Sequence, residues 1–329
     1  MKSFLNLIRD WTLPLSMTTG AVVYLIFAFV PELDEAARFF SPFFETILPL
    51  FMFLILFVTF CKVDYRRLRP VYWHLWAVVI NLLLVLLCMV VILALRLEDG
   101  ALVFMESILM CIIAPGATAA AVVTQKLGGS LEETTTHTFL SNFVTALLVP
   151  ICFPMIEKAA HMTFWEAFTL ILYKVSLILL LPMLLAYIVK HTMHRFHQWV
   201  ISVKDLSYYL WGCSLLIVTG TTVKSIVHAQ TTVWLLLAIA FSGSLLCVVQ
   251  FAIGKAIGRR YDRVVEAGQA LGQKNTAFAI WMAYTYLNPL SSVGPGCYVL
   301  WQNTVNSIEI WQRSKAEAAD KEKPGASMA

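Results

Sequence analysis

Apolar stretches of about 20 residues recur along the whole chain, and they constrain its fold more than any other feature. A helix of that length matches the thickness of the hydrocarbon core of a bilayer. Of the 329 residues, 59% are hydrophobic and only 13% are charged, which is more apolar than a soluble domain of this size needs. The sequence therefore predicts an all-α, multi-pass membrane protein and argues against a nucleic-acid partner.

Ten membrane-spanning helices are predicted, and their Lys and Arg content predicts their orientation. The predicted spans are 11–30, 40–60, 71–95, 102–124, 133–156, 164–189, 206–227, 233–257, 264–287 and 292–311. Loop Lys and Arg fall mostly on the side of the N-terminus, and such loops face the cytoplasm. We therefore expect an inner or plasma membrane protein with both termini in the cytoplasm, as an even number of spans requires.

Two predicted spans are interrupted at matching places in the two halves of the chain. The fourth is broken at "IIAPGATAAA", where Pro115 and Gly116 end a regular helix, and the ninth at "LGQKNTA", around Gly272. Because each half has five spans, the second half enters the membrane in the opposite orientation, which allows an inverted repeat. The predicted units are a first repeat over 1–158, a second, inverted repeat over 159–312, and a disordered cytoplasmic tail over 313–329.

At these two breaks the sequence resembles the bile acid:sodium symporter family. The stretch "PGATAAAVVTQKLGGSLEETTTHT" is similar to the family's Pro-Gly-Gly-Thr-Ala-Ser-Asn break and the polar helix start that follows it. The stretch "GQKNTAFAI" is similar to its Glu-x-Gly-x-Gln-Asn-Ser segment. The resemblance implies that broken helices four and nine cross in a core domain, packed on a panel domain of helices one, two, six and seven.

Most residues that bind sodium in the family are replaced in this chain. Ala120 and Ala121 stand where the family has its Ser-Asn pair, and Lys274 stands where it has a sodium-binding Gln. The resemblance therefore implies the fold and an organic anion as substrate, and it leaves sodium coupling in doubt. Candidate substrate- or ion-binding residues are Lys274, Asn275, Thr276, Gln273, Thr118, Thr134, Thr138, Asn81, Pro115 and, on a polar face of the last span, Asn303.

Lys274 is the most unusual of these residues, because an ammonium inside a membrane costs about 2.5–3.5 kcal/mol even on lenient insertion scales. Unwound breaks free the carbonyls at the two half-helix C-termini, near Ile113 and Leu271, and these attract a cation. We predict that the Lys274 ammonium takes the place of a sodium ion. Its expected partners are freed carbonyls and hydroxyls such as those of Thr134 or Thr138.

Three roles for Lys274 stay open. In the first, Lys274 releases its proton in each cycle and couples transport to a proton gradient. In the second, it is a fixed charge that never titrates, and in the third it pairs directly with a substrate carboxylate. A second lysine, Lys174 in the sixth span, is either a candidate anion contact or a side chain that snorkels to the outer surface or pairs with a glutamate. His137, beside Thr134 and Thr138, is a candidate proton relay or a packed, neutral histidine.

Together these features predict a secondary active transporter of a small organic anion, a carboxylate, that works by alternating access. We expect transport to be independent of sodium, and coupling to protons stays an open alternative. The alternatives are a sodium-coupled organic anion or bile acid symporter and a transport-inactive, ligand-binding membrane sensor. No enzyme motif such as HExxH or GxSxG occurs. The expected partners are the substrate and the bilayer, with no cofactor and a monomeric state.

Overall fold

The computed structural model describes residues 12–157, 162–203 and 206–321, and the regular structure in these ranges is helical. Short 3-10 turns occur at Pro31–Leu33, Tyr65–Arg67 and Pro289–Ser292. The α-helices are α1 (Thr12–Phe29), α2 (Asp34–Cys61), α3 (Tyr72–Ala94), α4 (Asp99–Ile113), α5 (Ala119–Lys126), α6 (Leu131–Ile156), α7 (Phe164–Leu179), α8 (Leu181–Thr192), α9 (His194–Ser202), α10 (Leu206–Val227), α11 (Val233–Arg259), α12 (Val264–Gly272), α13 (Thr276–Tyr286) and α14 (Val293–Lys321).

Within the described ranges, five helices are long and apolar enough to cross a membrane. They are Tyr72–Ala94, Leu131–Ile156, Phe164–Thr192, Tyr209–Val227 and Val233–Arg259. Leu15–Phe29 and Thr46–Cys61 are shorter apolar helices. The pairs α4–α5 and α12–α13 do not reach the same length because a break divides each of them. The all-α membrane class predicted from the sequence is thus confirmed.

The observed helices differ from the predicted spans in three places. Leu180 interrupts the sixth span, because Pro182, which follows it in the first turn of α8, has no amide hydrogen to donate. The short helix α9 follows and was not predicted. Helix α14 continues through residues 313 to 321, within the segment predicted as a disordered tail, whereas residue 11 and residues 322–329 lie outside the described residues.

The helix bundle has two ends that differ in charge. At the end named here the basic end, loops 62–71, 126–130 and 259–263 come together. There the Arg67 Nη1 lies 3.4 Å from Glu132 Oε1, and the Arg263 Nε lies 2.9 Å from Glu133 Oε1. Loops 95–98, 228–232 and 287–292 lie at the opposite end.

The helices pack in two groups. One group contains α1, α2, α8 and α10, and the other contains α3 to α6 and α11 to α14, while α7 packs on both α2 and α6. The largest hydrophobic cluster joins the groups and includes the fully buried rings of Phe60, Phe153 and Phe278. Both helix breaks lie in the second group, so the candidate site is built by helices that pack on one another.

Candidate functional site

The two helix breaks meet, and each satisfies backbone groups of the other. The amide of Ala117 donates to the carbonyl of Gln273 (2.9 Å), and the amide of Asn275 donates to the carbonyl of Pro115 (2.8 Å). These bonds flank an antiparallel bridge at Gly116. A buried break is stable only when its freed backbone groups find partners. The predicted interruptions of the fourth and ninth spans are therefore confirmed, and they lie against each other.

The C-terminus of α4 is capped by side chains from three other segments. Its last three carbonyls have no partner within a regular helix and accept side-chain bonds instead. The bonds run from Gln250 Nε2 to Cys111 O (3.1 Å), from Lys274 Nζ to Ile112 O (2.9 Å) and from Thr145 Oγ1 to Ile113 O (2.8 Å). Only the middle donor is charged, so the ammonium of Lys274 lies at the negative end of the α4 dipole.

Lys274 is 4% exposed and is held from several sides. Its Nζ also donates to Asn81 Oδ1 on α3 at 2.9 Å, and its backbone amide donates to Gln302 Oε1 on α14 at 2.9 Å. None of the ion pairs among the described residues includes Lys274. The ammonium is thus bound by neutral oxygens and by a helix terminus rather than by a carboxylate.

The expected bonds from Lys274 to threonine hydroxyls are absent from its contacts. The Thr134 hydroxyl donates to Thr124 Oγ1 (3.1 Å) or to the Ser130 carbonyl (3.2 Å). The Thr138 hydroxyl donates to the Thr134 carbonyl one turn earlier in α6 (3.1 Å). Both side chains are buried, but their hydrogen bonds stabilise the start of α6 and its contact with α5.

Two half-helices begin at the crossing, and the residues predicted there occupy their first positions. Asn275 caps α13, because its Oδ1 accepts from the amide of Phe278 at 3.2 Å. Thr276 is the first residue of α13 and is buried. Thr118 is the N-cap of α5 but makes no side-chain cap bond.

Two candidate residues point away from the crossing. The Gln273 side chain donates to Gln269, whose own amide donates to Glu309 Oε2 at 2.7 Å. The Asn303 amide donates to the Val299 carbonyl of its own helix at 2.7 Å. Neither side chain contacts the ammonium of Lys274 in this structure.

Besides Gln250 and Thr145, sequence reasoning missed three further residues that hold the crossing. Ser141 Oγ accepts from the amide of Gly116 (3.0 Å), and the Tyr298 hydroxyl donates to the carbonyl of Gly272 (2.8 Å). The third is Gln302, which is buried on α14. Ser141 continues the polar face of Thr134 and Thr138, and Gln302 adjoins the predicted polar face of the last span. Both could therefore have been identified from the polar pattern of the sequence. Tyr298 could not, because a single tyrosine in an apolar span is common.

Two positions at which the resemblance implies sodium ligands lack side-chain oxygens in this chain. Ala120 and Ala121 are both buried at the places where the resemblance implies ligands in related proteins. A methyl group cannot coordinate sodium, whose ligands in proteins are oxygens. The arrangement as a whole can therefore hold one fixed positive charge, at Lys274, beside the start of two half-helices.

Comparison with known proteins supports the family resemblance found at the two breaks. Residues 49–229, more than half of the chain, match the model of the Sodium Bile acid symporter family. No curated protein matches the sequence significantly. The matched range runs from α2 to the loop after α10, so it contains Asn81 and the first break but not Lys274. Members of this family are multi-pass transporters of the membrane and not enzymes. The chain belongs to the sodium bile acid symporter family.

Proposed function

We propose that this chain is a secondary transporter that moves a small organic anion by alternating access, with the Lys274 ammonium in place of a sodium ion. The observation that carries the proposal is the position of Lys274 Nζ, 2.9 Å from both Asn81 Oδ1 and Ile112 O. An amide oxygen and a helix-terminal carbonyl are ligands that a sodium ion would also accept. A cation attached covalently at that position makes a free sodium ion unnecessary.

The proposal includes ten membrane-crossing segments in two inverted repeats. The first repeat, 1–158, would contain α1, α2, α3, α4–α5 and α6, and the second, 159–312, would contain α7–α8, α10, α11, α12–α13 and α14. Support comes from the two breaks, which occupy the fourth and ninth places and meet each other. The group of α1, α2, α8 and α10, with α7, would be the panel domain, and the group with both breaks would be the core domain. The basic end would face the cytoplasm.

Charge balance at the crossing supports an anionic substrate. The C-terminus of α4 offsets the charge of Lys274 by roughly half an elementary charge. The half-helices that begin after Thr118 and Asn275 direct amide groups at the same crossing, and such N-termini bind carboxylates. An anion bound there would complete the balance, since none of the described carboxylates pairs with Lys274.

Two versions of this mechanism differ in the fate of the lysine proton. If Lys274 keeps its proton, the empty carrier changes conformation with a buried positive charge, and the substrate neutralises it. If Lys274 releases the proton after the substrate leaves, the carrier returns neutral and transport is coupled to protons. Both versions operate without sodium.

The proposal is tested by uptake into proteoliposomes. A thermal-stability screen of small carboxylates, with sodium or potassium chloride, first identifies a ligand that raises the melting temperature. Uptake of that ligand is then measured with a sodium gradient or a pH gradient imposed separately at zero membrane potential. We expect the rate of uptake to be the same with and without the sodium gradient. The pH gradient should stimulate uptake only if Lys274 exchanges its proton.

Two results would contradict the proposal. Strict dependence on sodium would show a sodium-coupled organic anion or bile acid symporter. Saturable binding of the ligand without any flux would show a transport-inactive sensor. Liposomes with the Lys274→Gln variant serve as the matched control, because the variant removes the charge and keeps a polar side chain.

A further inference from the structure

We propose that Lys174 and Tyr286 form a second anion-binding site, specific for a carboxylate group, towards the opposite end of the bundle. The role assigned to this site rests on the proposed function, because it gives an anionic substrate a first contact before the crossing. The binding itself can be measured without transport. The site lies on α7 and at the end of α13, and it shares no residue with the crossing.

Lys174 lies deep in an apolar helix and beside its buried face. It is ten residues after Phe164, the start of α7, which places its backbone about 15 Å along the helix axis. Ile171, one turn before it, and Ile178, one turn after it, are both buried. Lys174 itself is exposed, so it lies at the border of the buried face, where its ammonium stays accessible.

The charge of Lys174 has no carboxylate partner among the described residues. Its Nζ lies over the ring of Tyr286, 5.9 Å from the ring centre. The ion pairs in the described ranges do not include it. Ionisable residues within membrane helices are rare and are normally paired or functional. A cation–π contact at an accessible site is a weak substitute for an ion pair.

The hydroxyl of Tyr286 needs a partner as well. Its oxygen is buried and makes no hydrogen bond with the part of the chain that the structure describes, although buried polar atoms in proteins nearly always make one. The Tyr286 ring packs edge-on against Trp281, with ring centres 6.1 Å apart, which fixes its position. The ammonium and the hydroxyl are thus two neighbouring donors that lack an acceptor. A carboxylate supplies two acceptor oxygens, and an ammonium and a phenol can each donate to one.

A second lysine–tyrosine pair, in which the tyrosine also belongs to α13, provides an internal control. Lys224 Nζ also lies 5.9 Å from a tyrosine ring centre, that of Tyr284. Lys224, however, is in the last turn of α10, where the helix ends, and the Tyr284 hydroxyl is not among the buried atoms that lack a partner. Of these two pairs, the one of Lys174 and Tyr286 combines an accessible ammonium with a buried hydroxyl that has no partner among the described residues.

The site is tested by NMR of the purified protein with its lysines dimethylated by ¹³C-formaldehyde, a modification that keeps their charge. The Lys174→Gln variant assigns the signal of Lys174, and the Lys224→Gln variant assigns that of Lys224. Acetate, benzoate and succinate are titrated separately, each against sodium chloride at equal ionic strength. We expect at least one of these carboxylates to shift the Lys174 signal saturably, with no such shift from chloride. The Lys224 signal should not respond.

The tyrosine variants show whether the hydroxyl takes part. Tyr286→Phe should weaken the apparent affinity about tenfold, the loss expected for one hydrogen bond to a charged group. Tyr284→Phe should leave the affinity unchanged. Melting temperatures of both variants confirm that they fold alike. An unchanged affinity in a folded Tyr286→Phe variant would remove the hydroxyl from the site.

The proposal is overturned if none of the three carboxylates shifts the Lys174 signal, or if chloride or Lys224 gives the same response. These outcomes are separable from failure of the proposed function. A carboxylate response at Lys174 without flux in proteoliposomes would contradict transport and keep the site. Sodium-independent flux without a response at Lys174 would keep transport and remove the site.

Discussion

If the Lys274 ammonium takes the place of a sodium ion, as proposed, its substitution should restore a response to sodium. In Lys274→Gln, the oxygens of Asn81 and Ile112 lose their donor, and the glutamine adds an oxygen at the same place. We expect sodium chloride to raise the melting temperature of this variant more than potassium chloride does. A sodium concentration ten times the dissociation constant would stabilise it by about 1.4 kcal/mol.

The unsubstituted protein is the control for this prediction. Its melting temperature should respond equally to the two salts, since the ammonium already occupies the position. A sodium-specific rise in the unsubstituted protein would contradict the substitution of lysine for sodium. Lys174→Gln provides a second control, because it also removes one lysine from a membrane helix but lies away from the crossing.

At the residue scale, the sequence predicted that Lys274 donates to a freed helix carbonyl, but it did not identify the individual acceptor residues correctly. Freed carbonyls at the end of α4 were expected near Ile113, and the acceptor is Ile112. The hydroxyls of Thr134 and Thr138 were expected as well, but they donate within α6 and to α5. The direction of a side chain on a broken helix depends on the rotation of each half, which a polar pattern does not give. For the same reason Gln302 was missed beside Asn303.

Two helices of the second group approach closely because glycines replace side chains at their contact. Gly254 and Gly258 are one turn apart on α11 and face α12. A Cβ at Gly254 would lie 2.3 Å from the carbonyl oxygen of Ala267, and one at Gly258 would lie 2.3 Å from that of Arg263. Small residues spaced by four are a common basis of helix contact in membranes.

Gly254→Ala should therefore destabilise the protein by about 1–3 kcal/mol or more, because the neighbour that must move is backbone. The measurement is the free energy of unfolding in detergent, with the melting temperature as a second readout. Gly100→Ala is the matched control, since its Cβ would meet only the end of the Leu235 side chain at 3.1 Å. A loss of stability at Gly100 equal to that at Gly254 would argue against backbone contact as the cause.

At the element scale, the sequence predicted the two helix breaks but not the short extra helix α9. Pro115 and Gly116 cannot continue a helix, so the first break followed from covalent structure. Helix α9 was missed because more than half of its nine residues are polar, so they give no membrane-length apolar run. The pairing of Ala117 with Gln273 required the two halves to meet, which local sequence does not encode.

At the scale of the whole molecule, the ten crossing segments proposed above would place distant loops on predictable sides of the membrane. Six crossings would separate loop 62–71 from loop 259–263, namely α3, α4–α5, α6, α7–α8, α10 and α11. That even number of crossings returns the chain to the same side. Contacts within the bundle agree, because Arg67 and Arg263 approach neighbouring residues of α6, Glu132 and Glu133. Loop 95–98, one crossing after loop 62–71, should face the other side.

Cysteine labelling in intact cells tests this topology directly. Arg66→Cys, Arg259→Cys and Glu98→Cys each place a thiol at an exposed position, in a background where the exposed Cys213 is changed to Ser. A membrane-impermeant maleimide should label Glu98→Cys in intact cells, and the other two only after permeabilisation, because loops rich in Arg stay cytoplasmic. Permeabilised cells show that all three thiols can react. If Arg66→Cys and Arg259→Cys were labelled from different sides, the number of crossings between them would be odd and the inverted five-plus-five arrangement would fail.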